Sequence, residues 1–360
     1  MIVLACPTPG CSGLLFLESL ACDACGTAVA YHPASRTMVA SAADVVVDER
    51  LWHPCTNRDW GCNWLAADGS GAGRCFACRL VRRRPDSDDT IALEKVALTM
   101  PPLRQLLVQA QALGLPVDPF FETDGGLGFD LLSSRSSNEK VVIGHANGII
   151  TIDVVESLDA VRKKLRIDLG EPYRTMLGHL RHEAGHYYQW ILVEQTGWIE
   201  ECRDLFGDER TSYADAIERH YRTGAPDDWQ DSFISEYATM HPWEDFAECF
   251  AHYLHITDTL NTAASAGVEL DASRQTIATL SGAVAPRPFY GPDDFDALIR
   301  DWRWLSLFFN RVNRAMGASD LYPFRISDPV VAKLEFVHRV LTDLPETRIS
   351  VTDGFRRRSG

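Results

Sequence analysis

The sequence predicts an α+β protein in which a cysteine-rich zinc ribbon precedes a mostly helical domain with a small β-sheet. Three observations support this fold class. Eight of the ten cysteines fall before residue 79. The dipeptide Asn147-Gly148 stands between two runs rich in β-branched residues, which is typical of a β-hairpin. The second half of the chain carries apolar residues at helical spacing.

A length of 360 residues allows two domains. The charged stretch "RLVRRRPDSDDT" at 79–90 has the composition of a linker, so we predict a ribbon domain at 1–85 and a second domain at 86–360. Proline, glycine and apolar periodicity predict the main helices of the second domain. They are expected at 100–116, 171–195, from Pro242 onward, 293–316 and 329–344.

The charge balance restricts the partners of the protein. The formal net charge is −15, and residues 1–85 carry 8 basic against 7 acidic side chains, whereas the remainder carries 27 against 43. A general nucleic-acid binder would be basic. No apolar run approaches the roughly 18 residues that span a bilayer, and the start lacks the basic and apolar regions of a signal peptide. We therefore expect a cytoplasmic protein without a membrane span, in which cysteines bind metal.

The early cysteines form four short-spaced pairs that predict structural zinc. Two such pairs supply a closed tetrahedral thiolate set, which leaves no position for water and stabilises a fold. Consecutive and interleaved pairing are both compatible with the spacing, as is binding by fewer than eight, so one or two structural zinc ions are expected. The alternative is a set of ordinary buried thiols. The predicted ligands are Cys6, Cys11, Cys22, Cys25, Cys55, Cys62, Cys75 and Cys78.

The ribbon also offers a surface for partners. Arg79 and Arg82 to Arg84, with Trp52, Trp60 and Trp64 upstream, would form a basic aromatic face for nucleic acid. Because the whole chain is acidic, we favour a solvated linker and a structural or protein-docking ribbon instead.

The stretch "GHLRHEAGHYYQW" contains His182-Glu183-Ala184-Gly185-His186, the spacing H-E-x-x-H. On a helix, residues four apart share a face, so His182 and His186 can bind one zinc ion. Zinc lowers the pKa of a bound water, and Glu183 would act as the general base. Gln189 and Leu192 occupy the positions that glycine and histidine take in metzincins, which excludes that class.

A third ligand is expected on the following helix. "HPWEDFAECFAHY" offers Glu244, and Glu248 and His252 follow on the same face, suitable for hydrogen bonds to the ligating histidines. The alternative is that Glu244 and Asp245 only complement the helix dipole.

Other residues are weaker candidates for this site. Asp208 and Glu209 have no regular helix face to support them. His179, one turn before His182, would complete a three-histidine site, but we favour a core position or a hydrogen bond to a ligand.

Four stretches together resemble a bacterial family of zinc-binding metallopeptidases with an N-terminal zinc ribbon. They span nearly the whole chain; one departure is Cys6-x4-Cys11, where two intervening residues are expected. The matching stretches are "CNWL" with "CFACR", "GEPYRTMLGHLRHEAGHYY", "HPWEDFAECFAHYLH" and "LYPF".

A more distant similarity is to gluzincins of the anthrax lethal factor type. There a tyrosine precedes the zinc-binding glutamate by seven residues, and here Tyr237 precedes Glu244 by seven. The resemblance implies that Glu244 is the third ligand and that Tyr237 donates a hydrogen bond to the developing oxyanion. It also implies a zincin-like domain at 86–360.

These inferences lead to a zinc-dependent peptidase with one catalytic zinc ion and a peptide or protein substrate. The hairpin would offer an edge strand to an extended peptide. The alternative is a non-catalytic zinc protein whose ribbon binds a protein or nucleic acid.

Overall fold

The predicted fold class is confirmed. A computed structural model describes residues 4–41, 43–136, 141–154, 175–271 and 283–344. It shows a cysteine-rich region of short strands, a small mixed sheet and a series of helices, and so agrees with an α+β protein that carries a zinc ribbon. Two compact units are present. One contains the described residues from 4 to 154 and from 175 to 187, and the other contains those from Tyr188 to Asp343.

The cysteine-rich region consists of short antiparallel sheets. β1 pairs with β2, β3 with β4, and β6 lies between β5 and β7. Trp52, Leu65 and Ala67 pack with Ala30 into a small apolar cluster. Such short strands contribute little stability on their own. The elements are β1 (Leu4–Ala5), β2 (Leu14–Leu15), β3 (Val29–His32), β4 (Thr37–Ala40), β5 (Val45–Val47), β6 (Arg50–Pro54), β7 (Leu65–Ala67) and α1 (Phe76–Arg79).

A four-stranded sheet follows, with the strand order β10-β11-β9-β8. β8 and β9 run parallel, as do β9 and β11, while β10 pairs antiparallel with β11. Along this part of the chain, β10 therefore forms one edge of the sheet. The strands are β8 (Val81–Arg83), β9 (Gly128–Leu132), β10 (Gly144–Ala146) and β11 (Ile149–Asp153).

The predicted hairpin is confirmed. Asn147 and Gly148 connect β10 to β11, and their φ angles are +48° and +83°. A two-residue turn with positive φ at both positions matches the twist of the flanking strands. Gly148 is also required by space, because a Cβ atom there would lie 2.3 Å from the carbonyl oxygen of Gly125.

The helix predicted at 100–116 begins earlier than expected, so that boundary was wrong. Helix α2 (Thr90–Leu113) is capped by Asp89, whose carboxylate accepts a hydrogen bond from the amide of Ala92 at 3.0 Å. Pro101 and Pro102 lie inside it rather than at its first turn. Tertiary packing outweighs the local preference of proline here, because the apolar face of α2 is buried both before and after the two prolines.

The linker prediction was wrong for residues 81–83. These residues form β8, and the Arg82 guanidinium donates two hydrogen bonds to the Asp130 carboxylate, at 2.9 and 2.6 Å. Asp130 is buried in β9, so this pair attaches Arg82 to the sheet, although the side chains of Arg82 and Arg83 stay largely exposed.

The other predicted helices lie within a few residues of their expected positions, whereas the helices Ile199–Phe206 and Tyr213–Thr223 were not predicted. Helix α3 is followed by a π-helical turn, Trp190–Glu194; residues 171–174 of that prediction lie outside the described residues. No helix in the described part of the chain is long and apolar enough to cross a membrane. The helices are α3 (Met176–Gln189), α4 (Ile199–Phe206), α5 (Tyr213–Thr223), α6 (Pro242–Ser265), α7 (Phe295–Ala315) and α8 (Asp328–Thr342).

Candidate metal centres

Helix α3 presents the H-E-x-x-H residues from a buried face. His182 and Glu183 are 8% and 5% exposed. The imidazole rings of His182 and His186 lie 4.9 Å apart, centroid to centroid, at 85° to each other. This is the outcome of placing two histidines one helical turn apart, so that both rings project from the same side.

The structure brings together the donor atoms of the three residues predicted to bind the second kind of zinc. A ring nitrogen from each of His182 and His186 and a carboxylate oxygen of Glu244 all lie within 4.8 Å of one another. Two imidazoles and a carboxylate are a donor set that zinc uses in hydrolytic sites. The residues present therefore fit the metal that the sequence predicts.

Glu244 is held in the first turn of α6, which begins at Pro242. The imidazole of His241 caps this helix, because its Nδ1 accepts a hydrogen bond from the Trp243 amide at 3.1 Å. The Tyr213 hydroxyl donates a hydrogen bond to Oε1 of Glu244 at 2.8 Å. Only 2% of the Glu244 surface is exposed. Its burial and its hydrogen bond therefore favour a specific role over the alternative, in which a solvent-facing carboxylate only complements the helix dipole.

The neighbouring carboxylate, that of Asp245, takes part in an ion pair. Asp245 is 1% exposed and forms an ion pair with the Lys333 ammonium of α8, at 2.6 Å from Oδ2. Burial raises the pKa of Asp245 to about 7, while the Lys333 charge opposes that rise. The pair joins α6 to α8 one residue beyond Glu244.

His179 and Glu183 lie close together on α3. His179 Nε2 lies 3.8 Å from Glu183 Oε1, one helical turn further along. The group of three donors does not include His179. This arrangement agrees with the preference for a supporting position over a third histidine ligand.

The carboxylates judged weaker are engaged elsewhere. Asp208 pairs with Arg210 at 2.7 Å, and Glu209 pairs with Arg203 at 2.6 Å. Hydrogen bonds from these arginines lower the pKa of both carboxyl groups.

The other predicted residues of the site stay predictions. His252 is buried on α6, its Nδ1 lies 2.9 Å from the Tyr322 hydroxyl, and its ring lies 4.4 Å from Phe324. Glu248 lies one turn before it and is partly buried. Tyr237 opens a short 3-10 helix and is half-buried, with its ring 6.3 Å from that of His220.

Two residues near the site were not singled out from the sequence. Tyr213 lies 31 positions before Glu244, and no local pattern connects the two. His145 on β10 packs against Tyr187 with ring centroids 5.7 Å apart. Burial and, to a smaller extent, the neighbouring His186 lower the pKa of His145 to about 4, so the imidazole is neutral at pH 7. The hairpin signal placed His145 on an edge strand but did not connect it to α3.

The ribbon cysteines form two consecutive groups of four, not interleaved pairs. Within each group the sulfur atoms all lie within 4.8 Å of one another. The sulfur atoms of Cys6 and Cys25 lie 3.6 Å apart, as do those of Cys62 and Cys75. A tetrahedral zinc site with zinc–sulfur bonds of about 2.3 Å has sulfur–sulfur edges of about 3.8 Å. Both groups therefore fit a closed thiolate site.

The first group, Cys6, Cys11, Cys22 and Cys25, is the more exposed one. Hydrogen bonding by Thr27 lowers the pKa of the Cys25 thiol to about 6, which favours the thiolate that binds metal. A Cβ atom on Gly13 would lie 2.6 Å from Cys22 Sγ, so only glycine fits beside the sulfur atoms. The longer spacing between Cys6 and Cys11 does not prevent the four from meeting.

The second group, Cys55, Cys62, Cys75 and Cys78, is fully buried. Burial raises the pKa of Cys75 well above the usual thiol value, so a cation is needed to hold thiolates there. Arg104 of α2 is only 2% exposed and donates a hydrogen bond to the Gly61 carbonyl at 3.4 Å. It shares a pocket of about 150 Å³ with Cys62 and Cys78, where its charge would offset that of a zinc tetrathiolate.

Comparison with known families decides the relationship of the chain. Residues 99–340 match the family described as "Putative zinc-binding metallo-peptidase". The chain belongs to this family. Residues 4–89 match a zinc-ribbon domain, which agrees with the two cysteine groups. The predicted resemblance is thereby confirmed, and zinc is the metal that both parts of this metallopeptidase family member are built to bind.

Similar proteins occur in mycobacteria. Proteins from Mycobacterium tuberculosis and Mycobacterium bovis are 40% identical over 343 residues, which cover 93% of this chain and 94% of each relative. They are named only as uncharacterized proteins. No solved structure matches the chain.

Proposed function

We propose that the protein is a zinc-dependent peptidase that hydrolyses peptide bonds. The observation that carries this proposal is the convergence of His182, His186 and Glu244 donor atoms within 4.8 Å, with Glu183 next to His182 on the same helix. Family membership supports the reaction class. We further propose that the two cysteine groups each hold one structural zinc ion, so that a chain binds three.

The roles of the residues follow from their chemistry. Bound zinc would lower the pKa of a coordinated water and polarise the substrate carbonyl. Glu183 accepts the proton of the attacking water and delivers it to the leaving amine. Tyr237, in the role that its resemblance to the lethal factor type implies, donates a hydrogen bond to the oxyanion.

The edge strand β10 supports an extended peptide as the substrate. In the described part of the chain, β10 is the terminal strand of its sheet. Peptide addition to such an edge gives affinity through backbone hydrogen bonds. His145 on this strand packs against Tyr187 of α3, so the strand runs beside the helix that carries Glu183.

The substitution Glu183→Gln tests the mechanism. It keeps the shape of the side chain but removes its basicity, so cleavage of a mixed peptide library should fall by about 10²- to 10⁴-fold while three zinc ions remain bound. Glu194→Gln is the matched control and should cleave normally, because Glu194 is an exposed residue at the end of the π-helical turn after the same helix. Wild-type cleavage by Glu183→Gln would contradict the mechanism.

A further inference from the structure

We infer that Tyr213 is a positioning residue that orients Glu244 for metal binding. This inference rests on the proposed function, because it assigns Glu244 the role of a zinc ligand. Tyr213 is the first residue of α5, and its hydroxyl donates to Glu244 Oε1 at 2.8 Å. A hydrogen bond to a ligating carboxylate fixes the rotation of that group about its Cγ–Cδ bond.

The start of α5 is attached to the start of α6 by more than this hydrogen bond. The Tyr213 ring lies 5.2 Å from the His241 ring and 5.9 Å from the Trp243 ring, centroid to centroid. Arg219, two turns along α5, donates to the Met240 carbonyl at 3.0 Å. The Tyr213 hydroxyl is therefore held at Glu244 by the packing of two helix ends.

His241 provides a further connection between the two helix ends, as the tautomer that carries its proton on Nε2. Its Nε2–H donates to the Thr211 carbonyl at 3.1 Å, so Nδ1 carries no proton and can accept from the Trp243 amide. The imidazole thus connects the residue before the N-cap of α5 to the first turn of α6. Glu244 lies in that first turn, so its backbone and its side chain are both fixed from α5.

A hydroxyl in this position has a direct effect on metal affinity. Glu244 is 2% exposed, so the loss of this hydrogen bond would remove a donor from a buried carboxylate oxygen, which is costly. A carboxylate whose orientation is less restricted before the metal binds must be ordered on binding, which lowers affinity. Partners of this kind change metal affinity by about 10- to 100-fold when removed.

The variant Tyr213→Phe tests the inference through metal affinity. Chelator competition should show about 10- to 100-fold weaker zinc binding at one site, with the two ribbon ions unaffected. Tyr221→Phe on the same helix is the matched control, because Tyr221 is 71% exposed and should leave all affinities unchanged. Unchanged affinity in Tyr213→Phe overturns the inference.

A double-mutant cycle separates positioning from other effects. If Tyr213 acts through Glu244, Tyr213→Phe should have no further effect on zinc affinity in a Glu244→Gln background. An equal loss of zinc affinity in both backgrounds overturns the inference. A large fall in the cleavage rate of zinc-saturated Tyr213→Phe, with unchanged zinc affinity, also overturns it, because Tyr213 would then be a catalytic residue. A wild-type chain that binds only the ribbon zinc ions would instead show that the proposed function has failed.

Discussion

The ribbon and the helical unit reach stability by different means. The ribbon strands are two to five residues long, and the apolar cluster around Trp52 is small, so the eight thiols are the main cross-links available. The helical unit contains helices of 24, 21 and 15 residues with a core of aromatic side chains. A small region with little apolar core depends on metal, whereas long amphipathic helices do not.

The same contrast separates the two kinds of zinc site. In the ribbon, four sulfur donors surround each centre and leave no position for a substrate. In the proposed hydrolytic site, two imidazoles and one carboxylate supply three donors, which leaves room for water. The number and type of donors therefore support the proposal that one kind of site stabilises the fold and the other carries out the reaction.

The largest expected effect comes from breaking the buried thiol group. Cys75→Ser should release one zinc ion and abolish hydrogen-exchange protection between residues 55 and 80, because metal binding and folding are coupled there. Zinc analysis and hydrogen exchange measure both effects. Cys202→Ser is the control, since Cys202 is equally buried but lies outside both groups. A protected ribbon in Cys75→Ser would show that the ribbon does not depend on metal.

A smaller effect is expected in the helical unit, where breaking a buried ion pair should lower the free energy of unfolding without any change in metal binding. Lys333→Met leaves Asp245 buried without its counter-charge, so the free energy of unfolding should fall by about 3 kcal/mol. Arg339→Met on the same helix breaks an ion pair with Glu201 that is more than a third exposed, and should cost less than about 1 kcal/mol. Urea unfolding distinguishes the two. Equal falls in the free energy of unfolding for the two variants would contradict the expectation that a buried ion pair is costlier to break than an exposed one.

The smallest expected effect is a dependence of stability on pH. Burial lowers the pKa of His338, whose neutral ring bonds the Tyr253 hydroxyl at 2.8 Å and the Gly291 carbonyl at 2.9 Å. Below about pH 6.5 the unfolded chain gains a proton that the folded chain resists. The free energy of unfolding should therefore fall as the pH drops below that value. His338→Gln should weaken this slope between pH 7.5 and 5.5, and equal slopes would exclude His338 as its source.

Local signals in the sequence predicted the elements that depend on near neighbours. The Asn147-Gly148 turn and the start of α6 at Pro242 were correct because positive φ and a missing amide proton are properties of those residues. The start of α2 was wrong because the two prolines were taken to mark the beginning of the helix, whereas they lie inside a helix that begins after the Asp89 cap. Arg82 was misassigned to a linker because its partner, Asp130, lies 48 residues away.

The residue types and their spacing were sufficient to predict two uses of zinc, because ligand chemistry depends on sulfur, imidazole and carboxylate groups at short intervals. The grouping of the eight thiols into two consecutive sets of four required the fold, since pairs separated by more than ten residues meet only after the strands assemble. The same holds for the contact between Tyr213 and Glu244. No periodicity connects the ends of two helices, and packing alone brings those side chains within hydrogen-bonding distance.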